Sequence, residues 1–448
     1  MEFPTQIFKA YDIRGKVGTE LSVDLCKKIG QATTEWLPIA GIVAVGHDMR
    51  PDSRQLADAM IEGLREQGRD VWDIGEVTSD MIYFAIGAYN LAGGAVITAS
   101  HNAGDYNGVK IYRDKVTPVG LDSGLAEIRD LARKAEFTPA SASGSLETKN
   151  ITDAWVEHAL ASVDMGSWPK FRIAIDAGNG MAGAILPSVL EKLPLEAERM
   201  YFELDGTFPN HEANPQKTET LRDLAAKVTK NGYDFGIAFD GDGDRAGFVD
   251  NLGRPVLGTD LISIVAKMIL EKNPGSKIVH DVRTSRATQE LIQEWGGEPV
   301  RTKAGRVYIG ALVRKVGAKF GGETTGHLFF ASNYDADSGL IAALYVVQAI
   351  AESGKKLSEL VDEYRRYIMP PEINFEVDNK NAAFAALREK YAHCKQDELD
   401  GLTVEADDFW FNLRASNTEP LIRLNIEAVS QEKLDAELAT IKEIIAQS

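Results

Sequence analysis

Basic residues are outnumbered in this chain. Lys and Arg total 49 against 67 Asp and Glu, so its 448 residues carry a formal charge of −18. That balance argues against a general nucleic-acid binder or a protein that coats anionic membranes, because both need a positive surface. An anionic substrate is still allowed, since salt screens the field beyond about 8 Å and a local Arg/Lys cluster then governs one cleft. Cysteine is nearly missing. Cys26 and Cys394 are the only two, with neither Cys-x-x-Cys pairing nor metal-ligand spacing, so a disulfide scaffold or a zinc site is not expected. The reducing cytoplasm is the expected compartment. The N-terminal residues show no basic stretch followed by an apolar one, as a secretory signal would. The longest apolar-rich run, 340–351, is too short to span a bilayer and reads as a core helix. What is present is an ordinary globular composition, 44% hydrophobic and 26% charged, long enough for about two to four domains.

A weak internal repeat organises the chain. The apolar strand Ile42-Val-Ala-Val-Gly46 ends at Asp48. It is followed by a helix over 51–67, a strand over 71–74, a helix over about 80–90, and the strand Gly94-Ala-Val-Ile-Thr98. The order recurs from Arg172-Ile-Ala-Ile-Asp176, with a helix near 182–192, a strand near 199–204 and a helix near 219–231. It ends in the strand Phe235-Gly-Ile-Ala-Phe239. A third copy starts at Lys277-Ile-Val-His-Asp281 and passes through 286–295, 299–302 and 307–316 to a last strand over 318–320. Alternation of strands and helices predicts α/β architecture with mixed or parallel sheets covered by helices. Function in such sheets sits beyond the strand ends. The stretch Thr138-Pro-Ala-Ser-Ala-Ser-Gly-Ser145 reads as a linker. After Pro370-Pro371 the pattern shifts to shorter α+β elements and ends in a helix from Gln431.

The last loop of each repeat holds unusual residues. Thr98-Ala-Ser-His-Asn102 places Ser100 at a strand end beside His101, as a nucleophile or a phosphoryl carrier needs. No Gly-x-Ser-x-Gly elbow surrounds it, which disfavours an α/β-hydrolase. Downstream, Lys110 offers a cation or proton carrier. Asp240-Gly-Asp-Gly-Asp-Arg245 sets three carboxylates at every second position with glycines between. Such a cluster repels itself unless a cation sits within it, and hard oxygens suit Mg²⁺, with Mn²⁺ or Ca²⁺ as alternatives. An EF-hand is excluded because Arg245 and Asn251 stand where it needs Gly and Glu. Gly322-Glu-Thr-Thr-Gly-His327 offers the donors and acceptors that sugar hydroxyls require, and His327 can also move a proton. Arg414-Ala-Ser-Asn-Thr-Glu-Pro-Leu-Ile-Arg423 reads as an anion cradle of guanidiniums, hydroxyls and backbone N–H groups. Neither Gly-Lys pair, 15–16 or 354–355, has the first glycine of a P-loop, and the acidic loop is not Gly-x-Gly-x-x-Gly.

Taken in order, five motifs resemble the α-D-phosphohexomutase superfamily, and its phosphomannomutase/phosphoglucomutase branch most closely, with bacterial phosphomannomutases nearest. They are Lys9-Ala-Tyr-Asp-Ile-Arg-Gly15, Thr98-Ala-Ser-His-Asn102, Asp240-Gly-Asp-Gly-Asp-Arg245, Gly322-Glu-x-x-Gly-His327 and Arg414-Ala-Ser-Asn-Thr-Glu-Pro420. The resemblance covers nearly the whole chain. It implies three tandem βαβαβ-type mixed-sheet domains and a smaller C-terminal α+β domain around a central cleft. The corresponding ranges are 1–146, 147–250, 251–367 and 368–448. It implies that Ser100 carries a phosphoryl group and that Asp240, Asp242, Asp244 and an oxygen on phospho-Ser100 hold one Mg²⁺. Arg14, His101, Lys110 and Arg245 then surround that group, with Lys110 as general acid/base. Glu323, Thr325 and His327 meet the sugar. Arg414, Ser416, Asn417, Thr418 and Arg423 bind the non-reacting phosphate.

The same resemblance implies a cytoplasmic phosphomannomutase that is a monomer or homodimer and acts on hexose phosphates. Hexose 1,6-bisphosphate would be both intermediate and activator, and neither nucleic acid nor membrane would be a partner. Phosphoglucomutase or dual specificity stays open, because mannose and glucose differ at one hydroxyl. A metal-dependent sugar phosphatase and a sugar-phosphate sensor are the readings from other classes. Four positions depart from the family pattern. Ala103 replaces a proline and Thr325 a serine. In the loop Lys303-Ala-Gly-Arg306, Arg306 replaces a histidine, and Arg283 stands where some relatives have lysine. Lys303, Arg306 and Arg283 are counted with the substrate-binding residues.

Overall fold

In the computed structural model, apolar runs of the repeats such as Val43–His47, Gly93–Ile97, Phe235–Phe239 and Lys277–Asp281 form strands, and the segments of helical spacing between them form helices. The structure describes residues 3–447 apart from 135, 167, 378 and 416–420. The chain divides into two compact units, Met1–Val256 with Thr325–Ser358, and Leu257–Thr324 with Glu359–Ser448.

The first unit opens with β1 (Ile13–Lys16), α1 (Val23–Trp36), β2 (Val43–His47), α2 (Ser53–Glu66), β3 (Val71–Glu76), α3 (Ser79–Ala88), β4 (Gly93–Ile97) and β5 (Tyr106–Arg113). β2 lies parallel to both β3 and β4. β5 runs antiparallel to β4 and to β1, which makes the sheet mixed and puts Lys110 opposite Val96. Ser22 caps α1 through the Leu25 N–H, and α2 buries Leu56, Met60 and Leu64 at helical spacing. The two helices approach at backbone distance. A Cβ on Gly30 would lie 2.4 Å from the Met60 carbonyl oxygen, and one on Gly63 would lie 2.0 Å from that of Lys27. The segment read as a linker has no regular structure before the strand Leu146–Thr148, but it is docked on α2. Gly144 donates to the Arg65 carbonyl, whose side chain returns a bond to the Gly144 carbonyl.

The second sheet of this unit sets Phe171–Asp176 between Leu195–Met200 and Phe235–Phe239, all parallel. Ala246–Val249 folds back antiparallel on Phe235–Phe239. The second strand lies four residues upstream of its expected place at 199–204. It is Leu-Glu-Ala-Glu-Arg-Met, a charged alternation on a sheet edge, while the apolar Tyr201-Phe202 that suggested a later strand lies beyond it. Helix Gly339–Ser353 is the expected core helix, buried from Gly339 to Ile350 and capped by Ser338.

In the second unit, Lys277–Asp281 lies between the parallel strands Glu298–Thr302 and Phe320–Gly322. The last strand begins two residues later than expected. The C-terminal sheet is antiparallel throughout, in the order Ile373–Glu376, Leu421–Ala428, Phe409–Ala415, Leu402–Glu405, Lys395–Asp397. Its apolar face packs Phe411, Leu413, Leu424 and Ile426 against Leu387, Leu434 and Ile441 of its two helices. No helix among the described residues is long and apolar enough to cross a membrane.

The α1–α2 contact decides the sign of a helix substitution. Gly63→Ala gains about 1 kcal/mol of helix propensity. The methyl group meets a carbonyl oxygen at 2.0 Å that cannot rotate away, and overpacking of this kind costs about 1–3 kcal/mol. Gly63→Ala is therefore expected to lower the melting temperature of the first unit in a calorimetric scan; an unchanged or raised transition would contradict the contact.

Candidate active site

Ser100 lies one turn beyond β4 and is 3% exposed. Its φ of +52° is a left-handed conformation that costs a non-glycine residue about 1–3 kcal/mol and persists only where surroundings enforce it. The Thr98 hydroxyl accepts the Ser100 N–H at 2.9 Å. Arg14 donates to the Ala99 carbonyl and to Asn102 Oδ1, and is itself paired with Asp12 at 2.9 Å. So held, Ser100 Oγ donates to Asp240 Oδ2 at 3.0 Å and lies 3.3 Å from His101 Nδ1.

The acidic loop meets the serine loop without a side chain between them. A Cβ on Gly241 would lie 2.4 Å from the Ser100 carbonyl oxygen, and Gly243 has φ of +73°. These two glycines let the loop curl until one oxygen from each of Asp240, Asp242 and Asp244 lies within 4.8 Å of the others. All three carboxylates are fully buried. Two cations answer them. Lys110 Nζ donates to Asp242 at 2.5 Å and Asp244 at 2.8 Å, and Arg245 Nε donates to Asp240 at 2.9 Å. Three carboxylates against these two cations leave negative charge in a buried place, where charge is costly. Burial is the main reason Asp240 is pushed up to about 7. For Asp242, burial and then Asp244 push upward, but the Lys110 ammonium and the Ser79 hydroxyl oppose them and it is held down at about 2. His101 is pushed down to about 2 by burial and by the Arg245 and Arg14 charges, so its ring is neutral, and Nδ1 accepts from Arg245 at 2.6 Å.

The donor set fits a hard divalent cation. It is made of carboxylate oxygens, carries surplus negative charge and is close-set. Asp242 Oδ1 is buried with no hydrogen-bond partner among the described residues, the kind of orphan that an ion or ordered water satisfies. Four neighbours went unread in the sequence: Ser79, Asp80, Asp337 and Ser338. The Ser79 N–H donates to the Asp242 carbonyl at 2.9 Å and its hydroxyl to the Asp242 carboxylate. Ser338 donates to Asp80 at 2.6 Å, and burial pushes that carboxyl up to about 8. Asp337 lies 2.6 Å from His327 Nδ1. The imidazole of His327, expected to read sugar hydroxyls beside Glu323, is thus held at the acidic loop, 3.8 Å from Asp244 Oδ1. Thr325 is half-buried.

The second unit gathers the other predicted residues. Arg283 bridges Asp281 and Glu323, with both ion pairs at 2.9 Å. Asp281 also accepts the Thr324 N–H and hydroxyl. Arg414 and Arg423 stand side by side on paired strands and share Glu372, which the sequence gave no reason to single out. Burial, followed by the charge of Arg283, lowers the proton affinity of Arg414, against the opposing pull of Glu372 and Asp400. Arg306 opens the helix Arg306–Val316, and Lys303 is exposed just before it. Ser416, Asn417 and Thr418 lie outside the described residues.

A serine aimed at a buried three-carboxylate loop, together with an arginine-rich cluster in the second unit, suits phosphoryl transfer between small anionic molecules, and comparison with known proteins gives the same class. Residues 5–139, 153–253 and 258–367 match the models of the phosphoglucomutase/phosphomannomutase alpha/beta/alpha domains I, II and III. Residues 372–444 match the model of the C-terminal domain. The chain is 40% identical over 424 residues to a protein of Xanthomonas campestris pv. campestris named for phosphohexose mutases, covering 94% of each chain. It is 38% identical over 431 residues to the phosphomannomutase of Salmonella montevideo, again 94% of each. With the phosphomannomutase of Methanocaldococcus jannaschii the identity is 35%, over 98% and 97% of the two chains. Among solved structures, a phosphoglucomutase/phosphomannomutase family protein of Burkholderia thailandensis superposes with a TM-score of 0.89 at 32% identity, covering 98% and 96%. The fold and the site define a phosphohexomutase. The chain belongs to the phosphoglucomutase/phosphomannomutase family.

If the orphaned oxygen marks a cation site, Asp242→Asn weakens Mg²⁺ binding by about tenfold or more, since one anionic ligand is lost. Isothermal titration calorimetry on the purified protein checks this, and equal affinity in both proteins would rule out Asp242 as a ligand.

Proposed function

We propose that the chain is a Mg²⁺-dependent phosphomannomutase that interconverts mannose 1-phosphate and mannose 6-phosphate through phospho-Ser100 and a hexose 1,6-bisphosphate. The hydrogen bond from Ser100 Oγ to Asp240, buried on both sides, carries the reading. The names of the relatives from Salmonella and Methanocaldococcus support mannose as the preferred sugar.

Phosphoryl transfer asks a protein for position and charge neutralisation more than for covalent chemistry. A bound Mg²⁺ supplies neutralisation of the transferring oxygens, and Asp240, Asp242 and Asp244 are the residues proposed to hold it. Arg245 belongs to the same task, being fixed by Asp240 and directed at His101 beside the serine. Lys110, an ammonium paired with Asp242 and Asp244 in this structure, is proposed to act as general acid, giving a proton to the sugar oxygen as a phosphoryl group leaves it for Ser100; the amine so formed takes the proton of the sugar hydroxyl in the opposite step. In the second unit, Arg283 holds Glu323 for the sugar hydroxyls. Arg414 and Arg423, with the 416–418 segment, hold the phosphate that is not reacting. A sugar 1-phosphate then takes a phosphoryl group on its 6-hydroxyl. The bisphosphate reverses its ends and returns the other phosphoryl group to Ser100. An anion site that accepts either end of the sugar allows that reversal, provided the intermediate is not lost.

Phosphorus-31 NMR of the protein with Mg²⁺, a trace of hexose 1,6-bisphosphate, and mannose 1-phosphate in competition with glucose 1-phosphate tests this. A hexose 6-phosphate is expected without equivalent inorganic phosphate, faster from mannose, and Ser100→Ala should lose turnover by several orders of magnitude. Inorganic phosphate alone, or an active Ser100→Ala protein, would refute the reading.

A further inference from the structure

The chain uses one short motif twice. His47-Asp48-Met49-Arg50 ends β2, and His280-Asp281-Val282-Arg283 ends the strand Lys277–Asp281. In both, the histidine Nδ1 lies against the carbonyl of the following aspartate, at 2.8 and 3.0 Å. In both, the aspartate accepts the arginine backbone N–H, at 3.1 and 2.7 Å, and the arginine Nε, at 3.2 and 3.1 Å. The guanidinium, fixed at its base, then reaches the loop that follows the last strand of its repeat. Arg283 takes Glu323 in this way.

Arg50 goes further. Its Nη2 donates to the carbonyls of Ser100 at 2.9 Å and Asn102 at 2.6 Å, and its Nη1 to those of Ala103 and Tyr106 at 2.8 Å each. With the bond from Nε to Asp48, all five N–H groups of the guanidinium are engaged. The side chain is 1% exposed. The Phe208 ring lies over it at 5.0 Å, and Gly206 leaves room for that close packing, since a Cβ there would lie 2.5 Å from the Arg50 Cα. None of these five bonds reaches a group that meets the sugar. Four of them end on the backbone that holds Ser100 in its left-handed conformation.

We propose that Arg50 is a positioning residue for Ser100, and that the Asp48–Arg50 and Asp281–Arg283 pairs are one repeated clamp, each fixing the reactive loop of its own repeat. The inference rests on Ser100 being the phosphoryl carrier. A guanidinium fork spreads over four carbonyls, whereas the ammonium of a lysine is a single point. Arg50→Lys keeps the charge and loses the spread.

The test pairs steady-state kinetics with hydrogen exchange. In Arg50→Lys, kcat for the mutase reaction is expected to fall about 100-fold, the effect of a small misplacement of a reacting group. KM should stay within about twofold, because substrate is held elsewhere. Amides of 99–106 should exchange faster while those of 409–413 and 421–428 keep wild-type rates. A kcat within about twofold of wild type would overturn the proposal, and so would loss of protection across the whole chain in step with activity. Should Arg50→Lys fail to fold, exchange in the wild type and in Asp48→Asn decides. The loop should be as protected as β4 in the wild type and faster in Asp48→Asn; a wild-type loop exchanging like an exposed turn overturns the clamp. A wild-type protein without mutase turnover would instead refute the reading of the function and leave the exchange result standing.

Discussion

Three carboxylates buried within reach of one another are the constraint on which the first unit is organised. They cannot be left alone in a low-dielectric interior. The chain brings Lys110 from the antiparallel strand β5, and Arg245 from the next position in the acidic loop itself. It also brings Ser79 from the start of α3 and the hydroxyl of Ser100. Each comes from a different element, so the site exists only when both sheets of the unit are in register. Among the described residues, Asp242 Oδ1 is still left without a donor, and a buried acidic cluster of this kind fits a hard cation.

The second unit interleaves the two signs. Arg283, Arg414 and Arg423 are set among Asp281, Glu323, Glu372 and Asp400, and burial, followed by the charge of Arg283, loosens the hold of Arg414 on its proton. In a chain with a net charge of −18, these three guanidiniums form a local concentration of positive charge, although each is also paired with a carboxylate.

Much of this was legible because parallel strands buried on both faces read as short unbroken apolar runs. Phe235-Gly-Ile-Ala-Phe239 and Lys277-Ile-Val-His-Asp281 lie in the structure at the expected residues. The polar loops after them stood out by chemistry, which is how Ser100 and the three aspartates were found together. Elements set by tertiary pairing were not legible. β1 holds Arg14, Gly15 and Lys16 beside one apolar residue, and only its partner β5 makes it a strand. Arg50 and Ser79 look like ordinary loop and helix-start residues in sequence. Their roles arise from carbonyls and carboxylates up to 163 positions away. His327 was read with its sequence neighbour Glu323, but Asp337 fixes its ring at the acidic loop.

The account turns on Ser100 as the atom that carries phosphate, and mapping the phosphoryl group tests it most directly. The protein is incubated with hexose 1,6-bisphosphate and Mg²⁺, digested, and its peptides are sequenced by mass spectrometry, before and after a chase with excess hexose monophosphate. The account predicts one phosphoryl group on Ser100 that the chase removes. Turnover with Ser100 unmodified, or a phosphoryl group on another residue that the chase removes, would contradict it.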